Sequence, residues 1–408
     1  LSQGDVLLTP DKPISHQKTP QRYLFLDGIR GFAALYVTFY HFLGWNVSGV
    51  PSFLSQPLRV FGFGHTAVAL FIVLSGVSLM LPVARASDRQ LRGGMSEYLR
   101  RRARRILPPY YAAFALSLIA PFAFAALLGV SRPLPDTGDI LTHLSLTHNL
   151  FPQWSSSINI TLWSVATEWQ IYFLFPLVFL PVWRRFGLVS VILCGFLLGL
   201  APIVCAETTS AACPWYIGLF SLGMATTILA TRITAETSSS AYIKRLYLSL
   251  LAIITLYIVA VLLQKRFINW FGEVQGIYLA QTLKDGLMGA GVVCLILYGF
   301  LMSRPGSAPS LFLQMLESQP GRFLASFSYS LYLIHAVVLT MILIAAQAYR
   351  WNDSQLFIGR LMGIPLALCG AYGFYLIFER PFTTSGKPKS VRNGNSGKPN
   401  SPPAEGAV

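Results

Sequence analysis

Residues 26–42 read LDGIRGFAALYVTFYHF. Continued to about position 45, this run supplies the ~20 mostly apolar residues that a helix needs to cross ~30 Å of hydrocarbon. Yet it carries Asp27, Arg30 and His41. Ionisable side chains inside a span face the bundle interior or a wet cavity, because lipid does not solvate them. Over the eleven residues from Arg30 to His41, a helix turning ~100° per residue returns to within ~20° of the same face, ~16 Å further along its axis. Asp27 and Arg30 stand at i,i+3 and can pair. Interfacial anchors and a packing imidazole would not need to share a face, whereas the lining of an internal polar path would. The run therefore reads as a membrane helix with one wet face.

The rest of the chain agrees. Of 408 residues, 54% are hydrophobic and 12% charged, and the mean hydropathy is +0.55. That is roughly half the charge of a soluble globular domain. Ten segments satisfy the length rule, at about 26–45, 62–83, 107–130, 161–180, 186–206, 214–231, 243–263, 283–302, 323–345 and 356–378. They predict an all-α membrane protein, a bundle of about ten transmembrane helices. Alternation along these segments puts most basic residues on one side, including the runs Arg85 to Arg105, Arg184–Arg185 and Arg380 to Lys398. The other side holds only Arg59, Arg132, Lys265, Arg266 and Arg350. Cytoplasmic loops are the ones enriched in Lys and Arg, so both termini are expected in the cytoplasm and the chain in the cell (inner or plasma) membrane. Residues 1–22, polar and proline-bearing, are expected to form a flexible cytoplasmic tail, 23–382 the membrane domain, and 383–408 a disordered cytoplasmic tail. No internal repeat is visible, which weighs against a transporter built from two related halves. The net charge of +15 sits beside apolar segments rather than in a stripe interleaved with aromatics, so membrane lipid is an expected partner and nucleic acid is not.

Two further polar groups interrupt apolar runs: Glu168 in TLWSVATEWQIYFLFP and His335 at the end of FSYSLYLIH. At ~1.5 Å per residue, His41 lies ~22 Å and His335 ~18 Å from the cytoplasmic end, and Glu168 ~20 Å. Three groups on three helices thus reach one level. A carboxylate that orients an imidazole makes a general base, so Glu168 is expected to orient His41. Arg30, always cationic, suits the electrostatics of the path. The run EYLRRRARRILPPYY, placed in a loop before the third helix, is dense in arginine. It suits either anionic lipid or a phosphorylated ligand. No glycine-rich phosphate loop accompanies it, which excludes a P-loop NTPase. The five cysteines form no CxxC pair and no cluster with histidine, and no metal site is predicted; zinc on His41, Glu168 and His335 lacks any supporting ligand spacing.

Taken together, LDGIRGFAALYVTFYHF, ALFIVLSGVSLM, YLRRRARRILPPYY, LTHNLF, TLWSVATEWQIYFLFP, FSYSLYLIH and the FERP at 378–381 resemble, in order, the motifs of the acyltransferase 3 family of membrane O-acyltransferases. The resemblance implies a ten-helix bundle that moves an acyl group, commonly acetyl, from cytoplasmic acyl-CoA (acetyl-CoA) to a hydroxyl of a sugar or glycan acceptor. It implies that His41 and Arg30 are essential, at the family's R-x10-H spacing. Its R-x-x-R motif falls on Arg101/Arg104 and equally on Arg102/Arg105, the expected coenzyme-binding residues. Trp163, Tyr172, Ser330 and His335 are expected around the acceptor. The rival from another class is a proton-coupled secondary transporter using His41 and Glu168 as a relay.

Overall fold

The computed structural model describes residues 23–44, 50–205, 212–233, 239–304 and 310–384. The two expected tails, residues 1–22 and all but the first residues of 383–408, lie outside them. Helices account for nearly all of the described chain, and no strand occurs among the described residues. In chain order the helices are α1 (Leu24–Phe39), α2 (Ser52–Leu58), α3 (Gly64–Arg85), α4 (Gly94–Leu127), α5 (Thr137–Leu144), α6 (Leu162–Leu174), α7 (Leu180–Phe186) and α8 (Leu188–Cys205). They continue as α9 (Tyr216–Ile233), α10 (Ser239–Phe271), α11 (Glu273–Met302), α12 (Leu311–Leu316), α13 (Gln319–Ser326), α14 (Ser328–Ala348), α15 (Asp353–Phe374) and α16 (Arg380–Thr384). Among the described residues three π-helical turns extend them: Tyr40–Gly44 after α1, Phe175–Phe179 between α6 and α7, and Tyr375–Glu379 between α15 and α16.

Seven helical stretches among the described residues are long and apolar enough to span a membrane: Phe53–Arg85, Gly94–Leu127, Leu162–Phe186, Tyr242–Phe271, Gln275–Met302, Ser328–Ala348 and Asp353–Thr383. The other three predicted segments coincide with α1, α8 and α9, which are helical but fall short of that measure. α1 gives way to a π turn after 16 residues, and α8 and α9 are each 18 residues long. A second departure concerns the arginine run. Expected in a loop, it forms the first third of α4, a 34-residue helix. Arginine is a good helix former, and Glu97 pairs with Arg100 at 2.8 Å and Arg101 at 3.3 Å at the spacing that supports a helix.

α3 is the buried centre, packed on α1, α9 and α11. It meets α9 where Gly76 faces the Phe220 carbonyl and Gly223 faces that of Val73, so a Cβ on either glycine would collide with the other backbone. Small residues at such a crossing let two helices approach in the absence of a hydrophobic drive between them. α1 lies against α3, α13 and α14; α14 packs on α4 and α15. α10 rests on α11 and turns Leu251, Ile254, Ile258 and Leu262 outward, as a helix facing lipid does. The ring formed by α1, α3, α4, α6 and α14 holds the polar groups.

Candidate active site

Two cavities lie toward opposite ends of α1 and α3. The first is lined by Arg30, Ser75, Ser78, Arg102, Arg105, Glu168 and Tyr172 among others. The motif SGVS on α3 supplies two serines at i,i+3, on one helix face. Ser75 Oγ donates to Glu168 Oε1 (2.5 Å), which also accepts from the Tyr172 hydroxyl (2.6 Å). Ser78 Oγ accepts from Arg30 Nη2 (3.1 Å), and Arg30 Nη1 lies 3.6 Å from Asp27. The Arg102 guanidinium sits over the rings of Tyr98 and Tyr172, and its buried Nε has no hydrogen-bond partner among the described residues. Among the described residues three arginines thus border this arginine cavity against one carboxylate, that of Glu168, an arrangement suited to an anionic ligand.

The second cavity is lined by Tyr40, His41, His65, Ser156 and Trp163. Val68 and Tyr332 belong to both cavities and form their common wall. His41 sits in the π turn after α1, a local rewinding often found at functional positions. Its Nδ1 is 3.1 Å from the Val37 carbonyl oxygen and 2.9 Å from Nε2 of the fully buried His335, whose own Nδ1 is 2.8 Å from the Leu331 carbonyl. A carbonyl only accepts, so His335 carries its proton on Nδ1 and presents a bare Nε2. By the same reasoning His41 carries its proton on Nδ1, donating to His335. The remaining nitrogen, His41 Nε2, therefore holds a lone pair. A base oriented by a second imidazole, itself anchored on backbone, is what this geometry supplies.

The acyltransferase 3 family model, described as an acyltransferase domain, matches residues 23–378. The chain belongs to the acyltransferase 3 family. A Rhizobium radiobacter protein called "Protein 2 in picA locus" is similar to it, 29% identical over 184 residues that cover 42% of this chain and 85% of that protein. No solved structure matches. With its apolar helices, this acyltransferase 3 member is a multi-pass membrane acyltransferase.

The family motifs acquire physical roles from the fold. In LTHNLF, Asn149 Nδ2 donates to Thr167 Oγ1 (3.0 Å) and Gln170 Oε1 (3.2 Å), fastening the loop to α6, the helix of Glu168. In FERP, Glu379 accepts from the backbone N–H and hydroxyl of Ser330 (3.1 and 2.6 Å) and ties the end of α15 to the start of α14. Several expected placements are corrected. Glu168 does not orient His41: it lines the other cavity, where Ser75 and Tyr172 bind its carboxylate, and the imidazole partner of His41 is His335. Ser330 lines neither cavity, being fully buried against Glu379, and His335 lines neither but acts on His41. Tyr172 belongs to the arginine cavity, while Trp163 does line the cavity of His41. Of the two R-x-x-R registers, Arg102 and Arg105 line the cavity; Arg101 instead pairs with Glu97 and donates to the Arg92 carbonyl (2.9 Å), and Arg104 is exposed. Sequence reading passed over Ser75, Ser78, Tyr332, His65 and Asp285. Asp285 and His65, ionisable groups inside the predicted spans 283–302 and 62–83, gave signals that could have found them.

Proposed function

We propose that this acyltransferase moves an acyl group, acetyl in the first instance, from a cytoplasmic acyl-CoA to a hydroxyl of a sugar or glycan acceptor in the outer half of the cell membrane. Both termini and the arginine cavity then face the cytoplasm. The observation that carries this reading is the pair of cavities with a common wall, one bordered by arginines and the other by the lone pair of His41. The phosphates of the coenzyme suit Arg102 and Arg105 at the arginine end, with Arg30 deeper along the same cavity. The acceptor hydroxyl gives its proton to His41 Nε2 as its oxygen bonds to the thioester carbonyl carbon. The C–S bond breaks, and the proton passes from His41 to the departing thiolate, leaving an ester and free coenzyme A. His335 accepts the Nδ1 hydrogen bond throughout and stabilises the transient imidazolium. The Tyr332 hydroxyl, 2.5 Å from Ser164 Oγ, stands on the common wall between donor and acceptor and suits the developing oxyanion.

Cells expressing wild type or His41→Ala, fed labelled acetate, test this through acyl analysis of their extracted glycans. Loss of a general base slows a reaction by ~10²–10⁴-fold, so label should appear on glycan with wild type alone. Equal labelling with both proteins at normal membrane levels would sink the assignment.

A further inference from the structure

A second imidazole lines the cavity of His41. His65, at the start of α3, is set by groups from three other elements. Its Nδ1 is 3.0 Å from Asp285 Oδ2 of α11, 3.1 Å from Gln281 Nε2 and 3.1 Å from the Tyr216 hydroxyl of α9, and its ring stacks on Trp163 of α6. Asp285 is fully buried and also accepts from Trp215 Nε1 (2.8 Å) and Gln281 Nε2 (2.9 Å). The carboxylate is an obligate acceptor, and Gln281 Nε2, an obligate donor, is engaged by Asp285 Oδ1 at 2.9 Å, so the proton lies on Nδ1 and Nε2 carries the lone pair. Among the described residues that nitrogen faces the Cys213 thiol, at 3.6 Å, a weak donor that a hydroxyl displaces.

Burying a carboxylate in an apolar helix to hold one imidazole contributes little to stability that an apolar pair would not, and such groups in spans mark sites of function. One base suffices for one proton, and His41 already has that role. We infer that His65, held by Asp285, is a second hydroxyl-binding group of the acceptor site, and that the acceptor therefore presents a diol: one hydroxyl reacts at His41 while a second donates to His65 Nε2. This rests on the acyl transfer proposed above. A second use of the same residues is a Cys213–His65–Asp285 nucleophilic triad passing the acyl group through a thioester on Cys213. Burial and the nearby Asp285 raise the Cys213 thiol well above its ordinary value, which favours the diol reading.

The test uses the purified full chain in lipid nanodiscs with radiolabelled acetyl-CoA and four probe acceptors: trans-1,2-cyclohexanediol, cis-1,3-cyclohexanediol, trans-2-methoxycyclohexanol and cyclohexanol. Wild type should favour one of the diols over both mono-ols by about tenfold in kcat/KM, the worth of one added hydrogen bond. Because His65→Phe alone strands Asp285, the informative variant pairs it with Asp285→Asn, whose amide oxygen still accepts from Trp215 Nε1 and leaves no buried charge. The second hydroxyl then has no acceptor, and the diol preference should fall to about twofold. Cys213→Ala should keep the wild-type preference. An advantage of no more than about twofold for both diols, the statistical share of two equivalent hydroxyls, overturns the proposal while leaving acyl transfer standing, as does a preference that the double variant leaves unmoved. Acetyl label on Cys213, lost with transfer in Cys213→Ala, overturns it in favour of the triad. Absence of ester on every hydroxyl, with acetyl-CoA bound, overturns the acyl-transfer reading itself and this inference with it.

Discussion

At the scale of the residue, the proposed chemistry turns on which nitrogen of His41 carries the proton. Nδ1 lies between the Val37 carbonyl and His335 Nε2, and the His335 proton is fixed by the Leu331 carbonyl. An acceptor at His41 Nδ1 is therefore the whole contribution of His335. His335→Ala should lower the acyl-transfer kcat by ~10- to 100-fold, the value of a lost hydrogen bond to a group that becomes charged. His335→Gln, whose amide oxygen can accept the same proton, should recover part of that loss. Steady-state kinetics with acetyl-CoA decide it; equal losses in both variants would reduce His335 to a packing residue. Counting residues along helices put His41, His335 and Glu168 at one depth. It gave no azimuth between helices, which is why Glu168 was paired with the wrong neighbour. Its carboxylate is engaged by Ser75 and Tyr172 in the other cavity.

Among the elements, α4 and the α3–α9 pair set the site. α4 carries Arg102 and Arg105 to the cavity wall and leaves Arg101 and Arg104 outside it. Charge-assisted hydrogen bonds to phosphate contribute ~1.5–3 kcal/mol each, so Arg102→Ala or Arg105→Ala should raise the KM for acetyl-CoA by ~10-fold or more with kcat little changed. Arg101→Ala and Arg104→Ala should stay within a factor of about two, a rim effect. Initial rates against acetyl-CoA concentration separate the two registers. For the helix crossing, a side chain at Gly76 would run into the Phe220 carbonyl. Gly76→Val should lower stability by about 1–3 kcal/mol, typical of overpacking, visible as an earlier thermal unfolding midpoint in detergent. The motif SGVS was legible in the sequence; that its glycine sets a helix crossing and its serines hold Glu168 and Arg30 was not, since both roles depend on partners far along the chain.

Across the whole molecule, the segment from α5 to the start of α6 buries two stacked histidines. The rings of His143 and His148 lie 3.8 Å apart at 10°, and Phe114 stacks on His143 from α4. Burial, with the neighbouring His143, pushes His148 down to about 3 from its ordinary value of 6.5. Between those values the unfolded chain binds a proton that the folded chain does not, so stability rises with pH across that window. The contribution is complete above pH ~6.5 and is lost progressively as pH falls toward 3, by roughly 2 kcal/mol at pH 5. Thermal unfolding in nanodiscs at pH 7.5 and pH 5 should show a larger acid loss for wild type than for His148→Phe, which keeps the ring stack. Equal losses would mean that other groups govern acid sensitivity.

Hydropathy, the spacing of Arg30 and His41 and the order of the motifs determined by themselves that the chain is a helical membrane protein of the acyltransferase 3 family. Apolar run length and near-neighbour spacing are properties of one helix, and a sequence records them directly. Tertiary structure alone decided that Arg102 and Arg105 face the cavity, that His41 leans on His335 rather than Glu168, and that His65 meets Asp285, 220 residues away. Those facts depend on how helices are rotated about their axes when they pack. Rotation is set by close contacts such as Gly76 against Phe220 and by the π turn that carries His41, and neither leaves a periodic trace in the chain.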